Sequence, residues 1–377
     1  MVFDEICQCD QKYSKRKYYW CIPCNSTRFK NDFDKWTSGN YIIDKFIQDA
    51  QLKANYYDKA IEWIPYNRFR DIKKIAKGSF GTIYYAKWID GPINSWDIEN
   101  EKWERFGQHV VALKNFDGIG DINEDFLNEM AIHSRAMETY SSIGFYGITK
   151  DPETHKYMMV LEYLKGGSLR NYLNDNFINI SWRVKLLYLR DLARNFTEIH
   201  ELNIIHQDFH PGNILAHNFD ESDLYISDFG LSKLIGKNGE NLQKRTVFGV
   251  LPYIAPEVLC GEEYTKAADV YSFAITAYQI ITGLPPYPNV PHDDELALKI
   301  CNGLRPKIPF HTPKLITKLI MRSWDAQVIY RPTFDILHKV LKKCVNDYLK
   351  YTGEITIQIE EAEEFSDNNR YNNCETT

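Results

Sequence analysis

From residue 69 to Gly166-Gly167 the chain is written mostly in short β-rich runs, and after that glycine pair it turns helical. Residues 69–75, 82–87 and 109–115 read as strands, the first two joined by a glycine-bearing turn. A helix is predicted over 124–137, then strands over 144–149 and 158–162. Beyond the glycines, helical periodicity covers 169–174, 182–202, 266–282, 294–302, 312–324 and 334–348. Strands and helices segregated along one chain predict an α+β fold of two lobes with a cleft between them. The smaller, β-rich lobe takes about 69–164 and the larger, helical lobe about 165–348.

The flanks read differently. Residues 1–40 are rich in Cys, Lys and aromatics, and residues 41–64 carry apolar positions at spacings of three and four that predict an amphipathic helix ended by Pro65. Residues 88–108, with Trp88, Trp96 and Trp103, are too long for a simple hairpin connection, so they form an insertion with its own contacts or a mobile loop. The formal charge of −6 resides in residues 351–377, where seven acids face Arg370 alone. The acidic segment 349–377 is expected to lack structure. A body with no net charge gives no basic surface for nucleic acid. The most apolar stretches, 157–164 and 270–284, are short or broken by Glu162, Ser272, Thr276 and Gln279, so no membrane span is expected. No signal pattern precedes the body, which points to the cytoplasm, with the nucleus also open.

Three short motifs carry chemistry. In Ile75-Ala76-Lys77-Gly78-Ser79-Phe80-Gly81-Thr82-Ile83 the glycines would let backbone N–H groups approach phosphates, although an ordinary hairpin uses glycines too. Lys114 ends the apolar run Val111-Ala112-Leu113, and fifteen residues later Glu129 lies on a predicted helix. An ion pair would hold Lys114 toward phosphate oxygens; either residue alone also suits a solvated surface. The third motif is the most specific: His206-Gln207-Asp208-Phe209-His210-Pro211-Gly212-Asn213, then Asp228-Phe229-Gly230. Two aspartates and an asparagine on loops near one cleft suit magnesium, which takes oxygen ligands.

In the order and spacing of these motifs, residues of about 69–345 resemble a eukaryotic protein kinase domain, nearest to its tyrosine-kinase-like group. The resemblance implies the bilobal kinase fold, with Glu129 on the αC helix of the small lobe and a kinase domain over 65–348. It implies ATP and magnesium as cofactors and protein substrates as partners. Lys114 would contact the α- and β-phosphates and pair with Glu129, with Asn213 and Asp228 on magnesium. Asp208 would accept the substrate hydroxyl proton. Ile75, Ile83, Ala112 and Leu215 would sandwich the adenine, Leu161 would hold the gatekeeper position, and Glu162 to Leu164 would form the hinge. Phe229 would pack on His206, Glu257 of Ala255-Pro256-Glu257 would pair with Arg331, and Asp269 would anchor the catalytic loop.

The chain departs from the family pattern at Gln207, where an arginine is usual, at Ala76 in place of the first glycine, and at Ala274. His210 and Val250 stand where serine/threonine kinases usually carry lysine and threonine, so serine/threonine specificity comes from the group resemblance, with tyrosine left open. The alternative is a pseudokinase, an ATP-binding scaffold without transfer. Thr246 is the best-placed hydroxyl for phosphorylation between Asp228 and Glu257, or plain loop surface. Cys7-x-Cys9 and Cys21-x-x-Cys24 admit a four-thiolate structural zinc site or unliganded thiols. Their arrangement with Trp36-Thr-Ser-Gly resembles the leader of expanded fungal kinase families.

Overall fold

Alternating apolar residues and β-branched side chains draw residues 62–162 into a sheet whose inner face buries Ile64, Phe69, Ala86, Trp88, Val111, Leu113, Met158 and Val160. A computed structural model of the chain describes residues 20–78, 81–116, 124–139, 141–221, 223–235 and 249–374. They fall into two units, one running through Glu138 and including Ile143–Tyr163, the other comprising Thr139–Ser142 and the chain from Leu164.

The first unit contains helices α1 (Ile22–Lys30), α2 (Tyr41–Lys53) and α3 (Glu124–Ala136). Its strands are β1 (Glu62–Trp63), β2 (Phe69–Gly78), β3 (Gly81–Trp88), β4 (Ile93–Asp97), β5 (Lys102–Arg105), β6 (His109–Phe116), β7 (Phe145–Lys150) and β8 (Tyr157–Glu162). Six strands form one sheet in the order β1-β7-β8-β6-β3-β2, antiparallel except that β1 runs parallel to β7. That parallel pairing requires Gly147, because a Cβ there would come within 2.1 Å of the Glu62 carbonyl oxygen.

The expected helix over 41–64 is corrected. Asn40 caps α2 by accepting from the Ile42 and Ile43 amides, but the helix stops at Lys53, and the chain reverses through a 3₁₀ turn at Tyr57–Lys59 into β1. The spacing of Ala60, Ile61 and Ile64 suits a helix equally, but here these residues are buried by a reversed chain. The Gln51 side chain donates to Ile61 O across that reversal (3.0 Å). The insertion has its own contacts: β4 and β5 pair, and Trp103 stacks on Phe29 (4.5 Å) and Trp20 (5.8 Å). Trp20 also donates its indole N–H to Ala54 O (2.9 Å), so the segment before the sheet is packed onto the β4–β5 hairpin.

The second unit holds α4 (Leu169–Asn176), α5 (Trp182–Glu201), β9 (Ile204–Ile205), β10 (Ile214–Ala216), β11 (Leu224–Ile226) and β12 (Lys233–Leu234). It continues through α6 (Pro256–Leu259), α7 (Lys266–Thr282), α8 (Asp294–Cys301), α9 (Lys314–Ser323), α10 (Phe334–Leu349) and α11 (Gly353–Cys374). Side chains of Ser168, Ser181, Asp293 and Thr333 cap α4, α5, α8 and α10 by accepting from first-turn amides. Helix α7 is apolar on nearly every face and is buried from Ala268 to Ile281. It ends at Gly283, whose φ of 71° is left-handed and whose missing Cβ makes room for the Phe177 ring. Among the described residues no helix is long and apolar enough to cross a membrane.

The expectation that the acidic segment lacks structure is also corrected. Residues from Gly353 form α11, which buries Ile355, Ile359 and Ala362 along one face, and Gln358 accepts from the Leu315 amide (2.9 Å). His311 stacks on Phe365 at 5.0 Å. The acids occupy the opposite face, so composition signalled disorder where the i, i+4, i+7 spacing carries a helix. Ile359→Ala should destabilise the protein by about 2–5 kcal/mol in urea unfolding, the range for truncating a fully buried aliphatic side chain; an unchanged midpoint would mean that α11 is not docked.

Lys185 of α5 is nearly buried, against the rings of Phe177 (4.1 Å) and Trp182 (5.2 Å), and donates to Ile281 O (3.3 Å). Burial pushes its ammonium down to about 8 from 10.5, partly countered by Glu363. A lowered native pKa means that the unfolded chain holds the proton more tightly, so the penalty is complete below pH 8 and fades as pH rises through 10.5. Relative to Lys185→Met, the wild type should therefore gain up to about 3 kcal/mol between pH 8 and 10.5, read from denaturation midpoints across that range. A difference independent of pH would show that the two rings and the carbonyl compensate for burial.

Candidate functional site

In the first unit the side chains expected at the site sit on the sheet and on α3. On β6, Lys114 lies opposite Ile83 of β3 and Met159 of β8, so its side chain leaves the middle of the sheet. Its Nζ lies 2.6 Å from Glu129 Oε1 of α3, and both side chains are buried. An ion pair so enclosed has given up most of its hydration, which only a short, well-aligned contact offsets. Ile75, Ala76, Lys77 and Gly78 run along the exposed end of β2, with Ala76 opposite Ile83 and Gly78 opposite Gly81. Ser79 and Phe80 lie outside the described residues. Ala112 sits between Tyr85 and Leu161 in register. Glu162 closes β8, its Oε2 accepting from the Gly144 amide (3.1 Å).

In the second unit one buried carboxylate organises the loop 206–213. Asp269, in the first turn of α7, accepts from the backbone amides of His206 (2.9 Å) and Gln207 (3.0 Å) and contacts His200 Nε2 (2.9 Å). Gln207 adopts φ 69°, a left-handed conformation that costs a non-glycine residue free energy and is held here by that hydrogen bond. The His206 ring is held at both nitrogens, Nδ1 by the Asp208 amide (3.3 Å) and Nε2 by Ser227 O (3.1 Å). Phe229 is buried with its ring 5.2 Å from that of His206.

These contacts set Asp208. Asn213 donates from Nδ2 to Asp208 O (2.9 Å) and Oδ2 (3.3 Å). Burial, countered by His206 and reinforced by the Asp228 carboxylate, holds the Asp208 carboxyl above its usual range. Asp228, also left-handed (φ 61°), follows Ser227, whose amide donates to Asn213 O (2.9 Å). The Asp228 charge acts on Asp208, and a divalent cation held between such acids would relieve their repulsion. Leu215 on β10 bridges Ser168, and Leu164 is buried nearby in sequence, at the start of this unit.

Two features of the loop were not legible in its motif. Arg170, on α4, places Nη2 3.2 Å from His210 Nδ1, which also accepts from the Gly212 amide (3.0 Å). Burial and this guanidinium push His210 down to about 3, so the ring is neutral with its proton on Nε2, 3.7 Å from Asp208 Oδ1. Gly212 is required sterically, because a Cβ would come within 2.7 Å of the His210 ring. Nothing in the local sequence marks Arg170; the proximity arises only when α4 packs beside the loop.

Glu257 and Arg331 form a paired contact, Nη1–Oε1 and Nη2–Oε2 both 2.7 Å, with the arginine side chain 0% exposed. Arg331 also donates to Ala267 O and Asp325 O. Cys7 and Cys9 lie outside the described residues, as does Thr246. Cys21 is buried at the start of α1, and among the described residues no group of three or more His, Cys, Asp or Glu is arranged to hold a metal.

Comparison with known proteins gives the family. Residues 69–341 match the protein tyrosine and serine/threonine kinase family, to which the chain belongs. It is 33% identical over 282 residues to the serine/threonine-protein kinase VIK of Arabidopsis thaliana, across 73% of this chain and 60% of that protein. It is 31% identical over 289 residues to stress-activated protein kinase alpha of Dictyostelium discoideum, across 73% of this chain and 42% of that one. The probable serine/threonine-protein kinase drkC of the same organism is 32% identical over 239 residues, across 62% of this chain and 31% of its own. The chain thus spans less than two thirds of the length of each of these relatives.

Removing one member of the Glu257–Arg331 pair strands a fully buried charge. Glu257→Ala should cost about 3–5 kcal/mol by urea unfolding, and a loss under 1 kcal/mol would show that the Ala267 and Asp325 carbonyls suffice for the guanidinium.

Proposed function

We propose that the chain is an ATP- and magnesium-dependent protein kinase that transfers the γ-phosphoryl group to serine or threonine hydroxyls of protein substrates. The carrying observation is the Asp208–Asn213 hydrogen bonding beside Asp228, on a loop fixed by Asp269.

Lys114, oriented by Glu129, neutralises the α- and β-phosphates, and backbone amides about Gly78 and Gly81 donate to the phosphate oxygens. Ile75, Ala76, Lys77, Ser79, Phe80, Ile83 and Ala112 line the nucleotide with Leu164 and Leu215, and Glu162 begins the hinge. Asn213 and Asp228 would hold magnesium, which would supply positive charge to the phosphoryl group being transferred. Asp208 aligns the incoming hydroxyl and takes up its proton. Neutral His210 puts no further positive charge beside Asp208 and directs its Nε2–H to the Oδ1 side, so Asn213 is left to hold Oδ2. Catalysis is then positioning and charge stabilisation.

Serine/threonine specificity is supported by the names of the relatives and by the group resemblance. The reading assigns the chain to the cytoplasm or nucleus. A structural zinc on Cys7, Cys9, Cys21 and Cys24 belongs to the same proposal for the leader, supported by the ligand spacing of the second pair.

Incubation with labelled ATP, magnesium and a generic protein substrate should give phosphoserine or phosphothreonine, and Asp208→Asn should cut the rate by about 10²–10⁴-fold. Nucleotide-dependent stabilisation without any label in the wild type would instead indicate a scaffold.

A further inference from the structure

Two cysteines that play no part in this site meet on the second unit. Cys260 follows α6, three residues beyond Glu257, and Cys301 is the last residue of α8. They are 41 positions apart in sequence, and their Sγ atoms lie 3.1 Å apart with the Cys260 thiol directed at Cys301. Cys260 is exposed and Cys301 partly buried, with Cys301 Sγ also 3.6 Å from Pro256 O. Two sulfurs this close need only about 1 Å of closure to reach disulfide bonding distance. Both stand at helix ends. Burial and the neighbouring Cys260 sulfur push the Cys301 thiol up to about 11. Cys301 therefore keeps its proton near neutrality, and the exposed Cys260 is the sulfur that an oxidant reaches first.

We propose that Cys260 and Cys301 form a reversible intrachain disulfide when the protein meets a peroxide. The Cys260 thiolate attacks one peroxide oxygen, the O–O bond breaks, and with the thiol's proton the departing oxygen leaves as water, giving a sulfenic acid on Cys260. The Cys301 sulfur attacks the sulfenic sulfur; the S–S bond forms as S–O breaks, and hydroxide leaves with the Cys301 proton as a second water. Two thiols give up two electrons and two protons, and the peroxide takes both. The new bond ties α6 to α8. Glu257 already fixes α6 through Arg331, so the short helix becomes anchored at both ends, and its amides lose the freedom to open independently of α8.

The test is treatment of the full chain with hydrogen peroxide, alkylation of the remaining thiols and peptide mapping, with amide hydrogen exchange on the same samples. Expected are the joint loss of alkylation at Cys260 and Cys301 and a cross-linked peptide lighter by two hydrogens. Dithiothreitol should reverse both. Exchange at residues 256–261 should slow in the oxidised wild type and stay at the reduced rate in Cys301→Ser. The proposal is overturned if Cys301 stays fully alkylated while Cys260 is unreacted, over-oxidised or joined to a second chain. It is equally overturned if the cross-link forms without slowing exchange in α6. None of these readouts uses phosphoryl transfer, so they stand apart from the activity assay.

Discussion

The Asp269 carboxylate is 1% exposed and would be costly to bury alone. It is tolerated because two backbone amides and the His200 ring supply the hydrogen bonds that water would have made. The cost and its compensation are both instructive. The carboxylate sits in the first turn of α7, the most buried helix of its unit, so it cannot move without unpacking that core. The loop 206–213 therefore takes its position from the core rather than from its own sequence. Gln207 can occupy a left-handed conformation only because its amide is claimed by Asp269, and that turn sets the direction in which Asp208 leaves the loop. From Asp208 the chain of hydrogen bonds continues through Asn213 to Ser227, which immediately precedes Asp228. One buried acid in this way fixes two others.

The sheet reaches a comparable result by different means. Register places Lys114 between Ile83 and Met159, where its stem is covered by apolar neighbours and its ammonium must find an anion inside the protein. Glu129 supplies it from α3, so the helix is tethered to the sheet by a charge pair whose separation is costly for either partner. A substrate phosphate that approached this ammonium would add to an existing pair, and so the lysine is oriented before any ligand arrives. The parallel β1–β7 pairing that extends the same sheet depends on the absence of a Cβ at Gly147.

What could be read from the sequence follows from how locally each feature is determined. The motifs around Asp208 and Asp228 were legible because the chemistry needs those residue types at a fixed spacing along one loop and the next. The α+β class was legible because strand and helix periodicities are segregated along the chain. Two flanking segments were misread for physical reasons. Ala60, Ile61 and Ile64 keep a helical spacing but follow a chain reversal, and only the tertiary bond from Gln51 to Ile61 shows which arrangement prevails. Around Ile355, Ile359 and Ala362 the density of acids obscured a three-residue apolar face that suffices once α9 and α10 offer a surface. Arg170 could not have been found at all, since its role arises from a contact to His210 forty positions away.

The departures from the family pattern acquire a physical meaning when read together. At Gln207 the backbone retains its anchoring to Asp269, so what the substitution removes is a side-chain cation and nothing of the loop's shape. At His210 the ring is neutral, and the Arg170 guanidinium meets Nδ1 on the far side of the imidazole from Asp208. Both changes lower the positive charge immediately around Asp208. Its carboxyl is correspondingly held high by burial and by Asp228, with Asn213 and the Val250 amide as the hydrogen-bonding groups acting the other way. The chain from Gly249 onward is then positioned by hydrogen bonds rather than by a cation at 207: Tyr253 donates to Gln279, Ser272 donates to Tyr253 O, and Glu257 holds Arg331. These anchors are buried and already in place without an added phosphate.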